Sequence, residues 1–136
     1  MATFKESVSI ATSPEAAWKA LVDFEARPRW SSRVKKALII GGGPLKEGSR
    51  IELQIDRDRF TPTVTEILAP QRLALLVKGP GFKATHTYQI QAAGGGITLT
   101  LSAQYGGLMG GLFGSLMRGS VRRDLLDELE AIKHAA

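Results

Sequence analysis

Cysteine is absent from this chain of 136 residues. The sequence therefore forms no disulfide framework and offers no thiolate as a nucleophile or metal ligand. The two histidines, His86 and His134, are far apart in the sequence and have no cysteine to assist them. This pattern argues against a structural zinc site. We predict no bound metal and no cofactor.

Long hydrophobic runs are also missing, since no stretch approaches the ~20 apolar residues of a membrane-spanning helix. The first residues, Met1 to Glu6, lack the basic and then apolar pattern of a signal peptide. Apolar residues still make up 43% of the chain, which is enough for a hydrophobic core and excludes disorder as a class. We expect a cytoplasmic protein with one domain over residues 1–136.

The charge balance is basic, with a net charge of +5. Such a balance can indicate a nucleic-acid or membrane partner. The densest basic stretch surrounds Trp30, and no recognised nucleic-acid-binding motif accompanies it. Its charged residues are Arg27, Arg29, Arg33, Lys35 and Lys36. We interpret this stretch as a solvated basic edge and predict no nucleic-acid partner.

Hydrophobic periodicity predicts the order of the elements. Residues 4–11 alternate between apolar and polar side chains, as in a strand with one wet face, and Glu6 is the exception on the apolar side. Ser13-Pro14-Glu15 is typical of a helix start and predicts a helix over 14–24. A second short helix over about 26–32 carries Trp30.

A series of strands and a final helix complete the pattern. We predict strands over 34–40, 50–57, 60–69, 73–78, 82–91 and 97–105, with a charged turn at 56–59. A helix over 107–134 follows, and its buried stripe consists of Val121, Leu125, Leu129 and Ile132. A run of strands followed by a helix predicts an α+β domain with its helices on one face of an antiparallel sheet.

Several short motifs carry a resemblance to a known family. Ser13-Pro14-Glu15-Ala16-Ala17-Trp18 resembles the S-P-E-x-x-W opening of the START-like superfamily, which includes polyketide cyclase/dehydrase-like and pollen-allergen-like proteins. Supporting marks are Trp30, Gly48-Ser49, Val64-Thr65-Glu66-Ile67 and Pro70-Gln71-Arg72-Leu73. The resemblance implies a helix-grip fold: a seven-stranded curved antiparallel sheet, two short helices after the first strand, and a long C-terminal helix over a cavity. It implies no single activity, because this fold hosts carriers, cyclases, hydrolases, receptors and chaperone regulators.

The segment from Gly106 to Met117 is uncharged and rich in glycine. Each glycine costs a helix up to ~1 kcal/mol relative to alanine, so this segment should deform easily. It is interpreted as a flexible pocket wall, with tight helix-on-sheet packing and contact with a membrane surface as alternatives. The predicted ligand-binding residues are Trp30, Leu53, Ile55, Leu75, His86, Tyr88, Leu99, Leu101, Ala103, Met109, Leu112, Phe113 and Leu116.

Three inward-facing polar residues are candidates for catalysis: His86, Tyr88 and Tyr105. A histidine in a dry pocket can act as acid or base on a carbonyl substrate, and it can equally be a buried residue satisfied by a neighbour. The leading hypothesis is a module that binds a small hydrophobic or aromatic ligand, such as a lipid, a quinone or a polyketide-like molecule. The alternatives are a cyclase, dehydrase or aromatase, and an accessory subunit that binds another protein. Ligand identity and oligomeric state stay open.

Overall fold

A computed structural model of the chain describes residues 2–79, 81–106 and 118–136. Strand β1 (Ala2–Ile10) leads to helix α1 (Pro14–Val22), a short 3-10 helix (Phe24–Ala26) and helix α2 (Arg27–Trp30). The later strands are β2 (Val34–Ile39), β3 (Ile51–Ile55), β4 (Asp58–Phe60), β5 (Thr63–Leu68), β6 (Arg72–Gly79), β7 (Phe82–Ala93) and β8 (Gly96–Gly106). Helix α3 (Arg118–Ala135) follows. Ser13 caps α1 as predicted, because its hydroxyl accepts a hydrogen bond from the Ala16 amide at 3.1 Å.

The strands form two antiparallel sheets rather than one. The larger sheet has five strands in the order β1-β8-β7-β6-β5, and the smaller has three in the order β2-β3-β4. The prediction of a seven-stranded sheet was therefore wrong. The segment predicted as a charged turn and one strand is instead a tight turn at Asp56 and Arg57 followed by two separate strands, β4 and β5. Pro62 lies between these strands, where its missing N–H favours a break in the ladder.

One face of the five-stranded sheet, here called the inner face, packs against α3. Cross-strand partners share a face, so the register places Leu75, His86 and Ala103 in one row on it. Glu6 also lies on this face, opposite Leu101. Its carboxylate accepts a hydrogen bond from Arg122 of α3 at 3.0 Å, which accounts for an acidic residue on the apolar side of β1.

Helix α3 buries the stripe that the sequence predicts, namely Val121, Leu125, Leu129 and Ile132. Arg33 ties the same helix to the β3–β4 turn, since its guanidinium lies 2.7 Å from Asp124 and 2.9 Å from Asp56. Met109, Leu112, Phe113 and Leu116, which the sequence placed in the pocket wall, lie outside the described residues.

Candidate functional site

The inner face is closed at one end and partly open at the other. Around Tyr88 and Leu101 the side chains are almost fully buried. Nearer the start of β7, the inner-face residues Val77, His86 and Tyr105 stay partly exposed, although the small Ala84 among them is covered. We call Val77, Ala84, His86 and Tyr105 the open end of the inner face. It offers an apolar surface with one imidazole and one phenol.

A charged cluster lies beside the open end and joins α2, β7 and α3. Arg27 is only 3% exposed, and its guanidinium donates to Glu128 at 3.1 Å and to the Leu21 carbonyl at 3.1 Å. The Tyr88 hydroxyl donates to the same Glu128 oxygen. The interpretation of Arg27 as part of a solvated basic edge was wrong, because a carboxylate on α3 compensates its charge inside the protein.

Aromatic rings enclose the Arg27 guanidinium. Its central carbon lies 4.0 Å from the centroid of the Phe24 ring, 5.8 Å from that of Trp30 and 5.9 Å from that of Tyr88. These distances suit cation–π attraction in a desolvated setting. The Arg27 Nε is buried and finds no hydrogen-bond partner within the described part of the chain. The guanidinium is thus held by its two terminal nitrogens and by the rings.

The electrostatics keep this cluster as one cation paired with one anion. Burial works to lower the pKa of Arg27, but the neighbouring Tyr88 and Glu128 oxygens outweigh it and raise that pKa overall. Burial, followed by the charge of Glu128, raises the pKa of the Tyr88 phenol. Tyr88 therefore stays protonated and donates to Glu128. Its hydroxyl is engaged in this structure rather than aimed at a substrate.

His86 and Tyr105 differ from Tyr88, because both belong to the open end. Burial lowers the pKa of the His86 imidazole, and the charge of Glu128 only partly opposes that shift. Burial, followed by the charge of Asp124, raises the pKa of Tyr105. Both side chains are uncharged at neutral pH, so the open end carries hydrogen-bonding groups without a net charge.

The predicted ligand-binding residues that the structure describes divide into two groups by exposure. The buried ones belong to the hydrophobic core: Leu53, Leu75, Tyr88, Leu99, Leu101 and Ala103. The partly exposed ones are Trp30, Ile55 and His86. The rings of Trp30 and Tyr88 lie 5.8 Å and 5.9 Å from the central carbon of the Arg27 guanidinium, so α2 comes close to the inner face at this point.

An open groove of about 450 Å³ lies toward the other end of β7. Its lining residues are Pro14, Glu15, Pro70, Gln71, Gln89, Ile90, Gln91 and Ala92. None of them was predicted to bind a ligand. The amide side chains and Glu15 make this groove a more polar surface than the open end.

Comparison with known proteins identifies the family. The family model described as polyketide cyclase / dehydrase and lipid transport matches residues 1–136. The chain belongs to this polyketide cyclase/dehydrase and lipid transport family. A comparison with curated protein sequences finds no match. Among the described helices, none is long and apolar enough to cross a membrane.

Solved structures share the fold of this polyketide cyclase/dehydrase-family chain at low sequence identity. Ara h 8.0201 is 18% identical, with a TM-score of 0.77 and coverage of 98% of this chain and 95% of that one. A START superfamily protein from Mycobacterium smegmatis is 17% identical, with a TM-score of 0.70 and coverage of 98% and 99%. The di-domain ARO/CYC StfQ from the steffimycin biosynthetic pathway is 10% identical, with a TM-score of 0.79. The match covers 98% of this chain and 50% of StfQ, so the chain spans about half its length. These likenesses confirm the helix-grip fold.

Neither Arg27 nor Glu128 of this family member was predicted from the sequence to belong to the site. Glu128 stands between Leu125 and Leu129 of the buried stripe, and such a flanking position is available to either a solvated or a half-buried acid. Arg27 follows Phe24 by three residues, the spacing at which two side chains on consecutive helical turns meet. Neither sequence position indicates which residue its side chain would contact, so neither one predicts the ion pair.

The pKa of His86 predicts how stability responds to pH. The unfolded chain binds a proton at His86 near pH 6.5, whereas the folded chain binds it only at lower pH. Stability from this residue is complete above pH 6.5 and is lost as pH falls toward the folded pKa. We expect the free energy of unfolding of His86→Gln, measured in urea, to fall less between neutral and acidic pH than that of the parent protein.

The matched control is His134→Gln, which changes the chain's other histidine at an exposed C-terminal position. This variant should keep the pH response of the parent protein. Identical pH slopes for the two variants would contradict the assignment of a buried neutral imidazole to His86.

Proposed function

We propose that the protein binds a small, neutral, apolar or aromatic molecule against the open end of the inner face. The observation that carries this proposal is the partial exposure of Val77, His86 and Tyr105, which lie together at one end of a face whose central residues, such as Leu75, Tyr88 and Leu101, are buried. Concave, mostly apolar surfaces with a few polar groups are typical of small-molecule sites. Membership of a polyketide cyclase/dehydrase and lipid transport family supports the same function.

The charges near the open end favour a neutral ligand over an anionic one. Glu128 neutralises Arg27, and Arg33 faces three carboxylates, those of Asp56, Asp124 and Asp127. The lowered pKa of His86 leaves its imidazole uncharged at neutral pH. A carboxylate on the ligand would lose its hydration without gaining a free cation. Among the ligand classes expected from the sequence, a quinone or a polyketide-like molecule fits better than a lipid that carries an ionised carboxylate.

Hydrogen bonding at the open end favours a ligand with one or two oxygen atoms. The His86 imidazole and the Tyr105 hydroxyl both donate and accept hydrogen bonds in their neutral forms. A carbonyl or hydroxyl on an otherwise apolar ring system suits this pair. Trp30 and Ile55 are partly exposed as well, and we include them in the proposed apolar lining.

Fluorescence titration with two naphthalene probes tests the proposal. N-phenylnaphthylamine is neutral, and anilinonaphthalene sulfonate adds a negative charge to a closely similar apolar body. We expect the neutral probe to bind about tenfold or more tightly than the sulfonate, since burying the unpaired charge costs at least about 1–3 kcal/mol. Failure of the neutral probe to bind, or tighter binding of the sulfonate, would contradict the proposed ligand class.

A pair of adjacent variants locates the bound probe. Val77→Phe adds volume on the inner face, and we expect it to weaken binding of the neutral probe about tenfold or more. Leu76→Phe adds the same ring one residue earlier, on the outer face of the same strand, and should leave binding unchanged. Equal effects of the two variants would place the probe elsewhere.

An enzymatic function is the second candidate, and His86 favours it. A neutral imidazole in a partly buried apolar setting can take a proton from a carbon beside a carbonyl group, and Tyr105 can donate a hydrogen bond to that carbonyl. A cyclase or dehydrase of poly-carbonyl substrates would use such a pair. In that case His86→Ala abolishes turnover of a poly-carbonyl model substrate and leaves probe binding largely intact. Retention of turnover in this variant excludes a reaction through His86.

A further inference from the structure

We propose that the outer face of the three-stranded sheet docks onto an anionic lipid surface. On this face β2 presents Leu38 and the residue that follows the strand, Ile40, which are 44% and 46% exposed. They lie two residues apart in the sequence and therefore on the same side of the strand. Ala37, which precedes Leu38 in β2, points to the opposite side and is buried in the core. Two large aliphatic side chains thus project together into solvent at one edge of a sheet.

Basic side chains surround the two aliphatic residues. Lys36, Arg50 and Arg59 are exposed on the same outer face, where Lys36 and Arg59 both lie beside Gln54. Arg50 adjoins Ile40, whose amide donates to the Arg50 carbonyl at 2.9 Å. We call Lys36, Leu38, Ile40, Arg50 and Arg59 the docking face.

The docking face has a positive excess. Two acids lie beside its three basic residues: Glu52, opposite Leu38, pairs with Lys36 at 3.1 Å, and Glu25 accepts a hydrogen bond from the Ile39 amide. Neither Arg50 nor Arg59 has a carboxylate partner in the ranges that the structure describes. Two unpaired guanidinium groups beside two aliphatic side chains match a bilayer surface, which offers phosphate groups above an apolar layer.

A second copy of the chain is not favoured as the occupant, because the outer edge of β2 is not available for strand pairing. That edge is covered by the segment Phe24–Ala26 and by α2, and the Ile39 amide donates to the Glu25 carboxylate at 3.1 Å. Strand addition needs unpaired backbone groups at this edge. A nucleic acid would use the guanidinium groups but would gain little from Leu38 and Ile40.

Vesicle co-sedimentation of the full chain tests the docking face. The vesicles are phosphatidylcholine alone or phosphatidylcholine with phosphatidylserine, and we expect binding only to the second kind. Leu38→Ser with Ile40→Ser should weaken partitioning about tenfold, from the loss of partly buried aliphatic contact. Arg50→Gln with Arg59→Gln should weaken it about fivefold for each charge.

Two matched control pairs separate this face from general properties of the chain. Leu68→Ser with Leu126→Ser removes the other exposed large aliphatic side chains of the described structure. Lys5→Gln with Lys83→Gln removes two exposed charges from the five-stranded sheet. Both control pairs should bind anionic vesicles within about twofold of the parent protein.

Three outcomes overturn the proposal. The first is no binding to phosphatidylserine vesicles by the parent protein. The second is equal weakening of vesicle binding by the docking-face substitutions and the control substitutions. In that case net charge or general hydrophobicity would explain the binding. The third is competition by duplex DNA together with normal vesicle binding of the Leu38→Ser, Ile40→Ser variant, which would identify a site for polyanions.

Discussion

Arg27→Met is expected to lower the free energy of unfolding by about 3 kcal/mol, as is typical when one partner of a buried ion pair is removed. Methionine fills much of the space of the arginine stem, so the loss comes mainly from the charge. Glu128 would keep its negative charge beside the Tyr88 ring without the guanidinium that compensates it. Urea unfolding of the single variant at neutral pH measures this loss.

A double-mutant cycle separates the ion pair from general disruption of the core. Arg27→Met combined with Glu128→Leu replaces both charges by apolar side chains, and part of the lost stability should return. Tyr88→Phe serves as the milder control, since it removes one hydrogen bond and should cost about 1 kcal/mol. If the double variant is as unstable as the sum of its single variants, Arg27 and Glu128 do not act as a pair.

Leu129→Ala is expected to cost about 2–5 kcal/mol, the range measured for large-to-small changes at buried leucines. Leu129 is fully buried in the stripe with which α3 covers the sheet. The measurement is again the free energy of unfolding in urea. The neighbouring Leu126 provides a matched control on the same helix, because its side chain is 40% exposed.

Leu126→Ala should change stability by less than about 1 kcal/mol. The comparison therefore reports which side of α3 contacts the sheet. Equal losses for the two leucine variants, or a larger loss at Leu126, would contradict the packing of this helix.

The strands were predictable wherever one side of a sheet is buried and the other faces water. The strand predicted over 97–105 is observed as β8. It was predictable because every second side chain of a strand points into the core, which leaves a period of two in the sequence. The division into two sheets was not predictable in the same way. Residues 58–60 form β4 through pairing with β3, and alternation of so short a segment carries no signal for that pairing.

The sequence predicted which side of the sheet the candidate site residues occupy, but it did not predict the ion pair beside them. The alternation of β7 places His86 and Tyr88 on the inner face, and the register confirms this facing. The burial of Arg27 depends on Glu128, which lies 101 residues away in the sequence. No local pattern encodes a contact of that separation, so composition favoured the opposite interpretation, a solvated basic edge.

The most direct test of the ligand site is amide chemical-shift mapping of the isotope-labelled protein during titration with N-phenylnaphthylamine. The largest shifts are expected at the open end of the inner face, at Val77, Ala84, His86 and Tyr105. Shifts confined to the polar groove around Gln71 and Gln91, or no shifts at saturating probe, would contradict it.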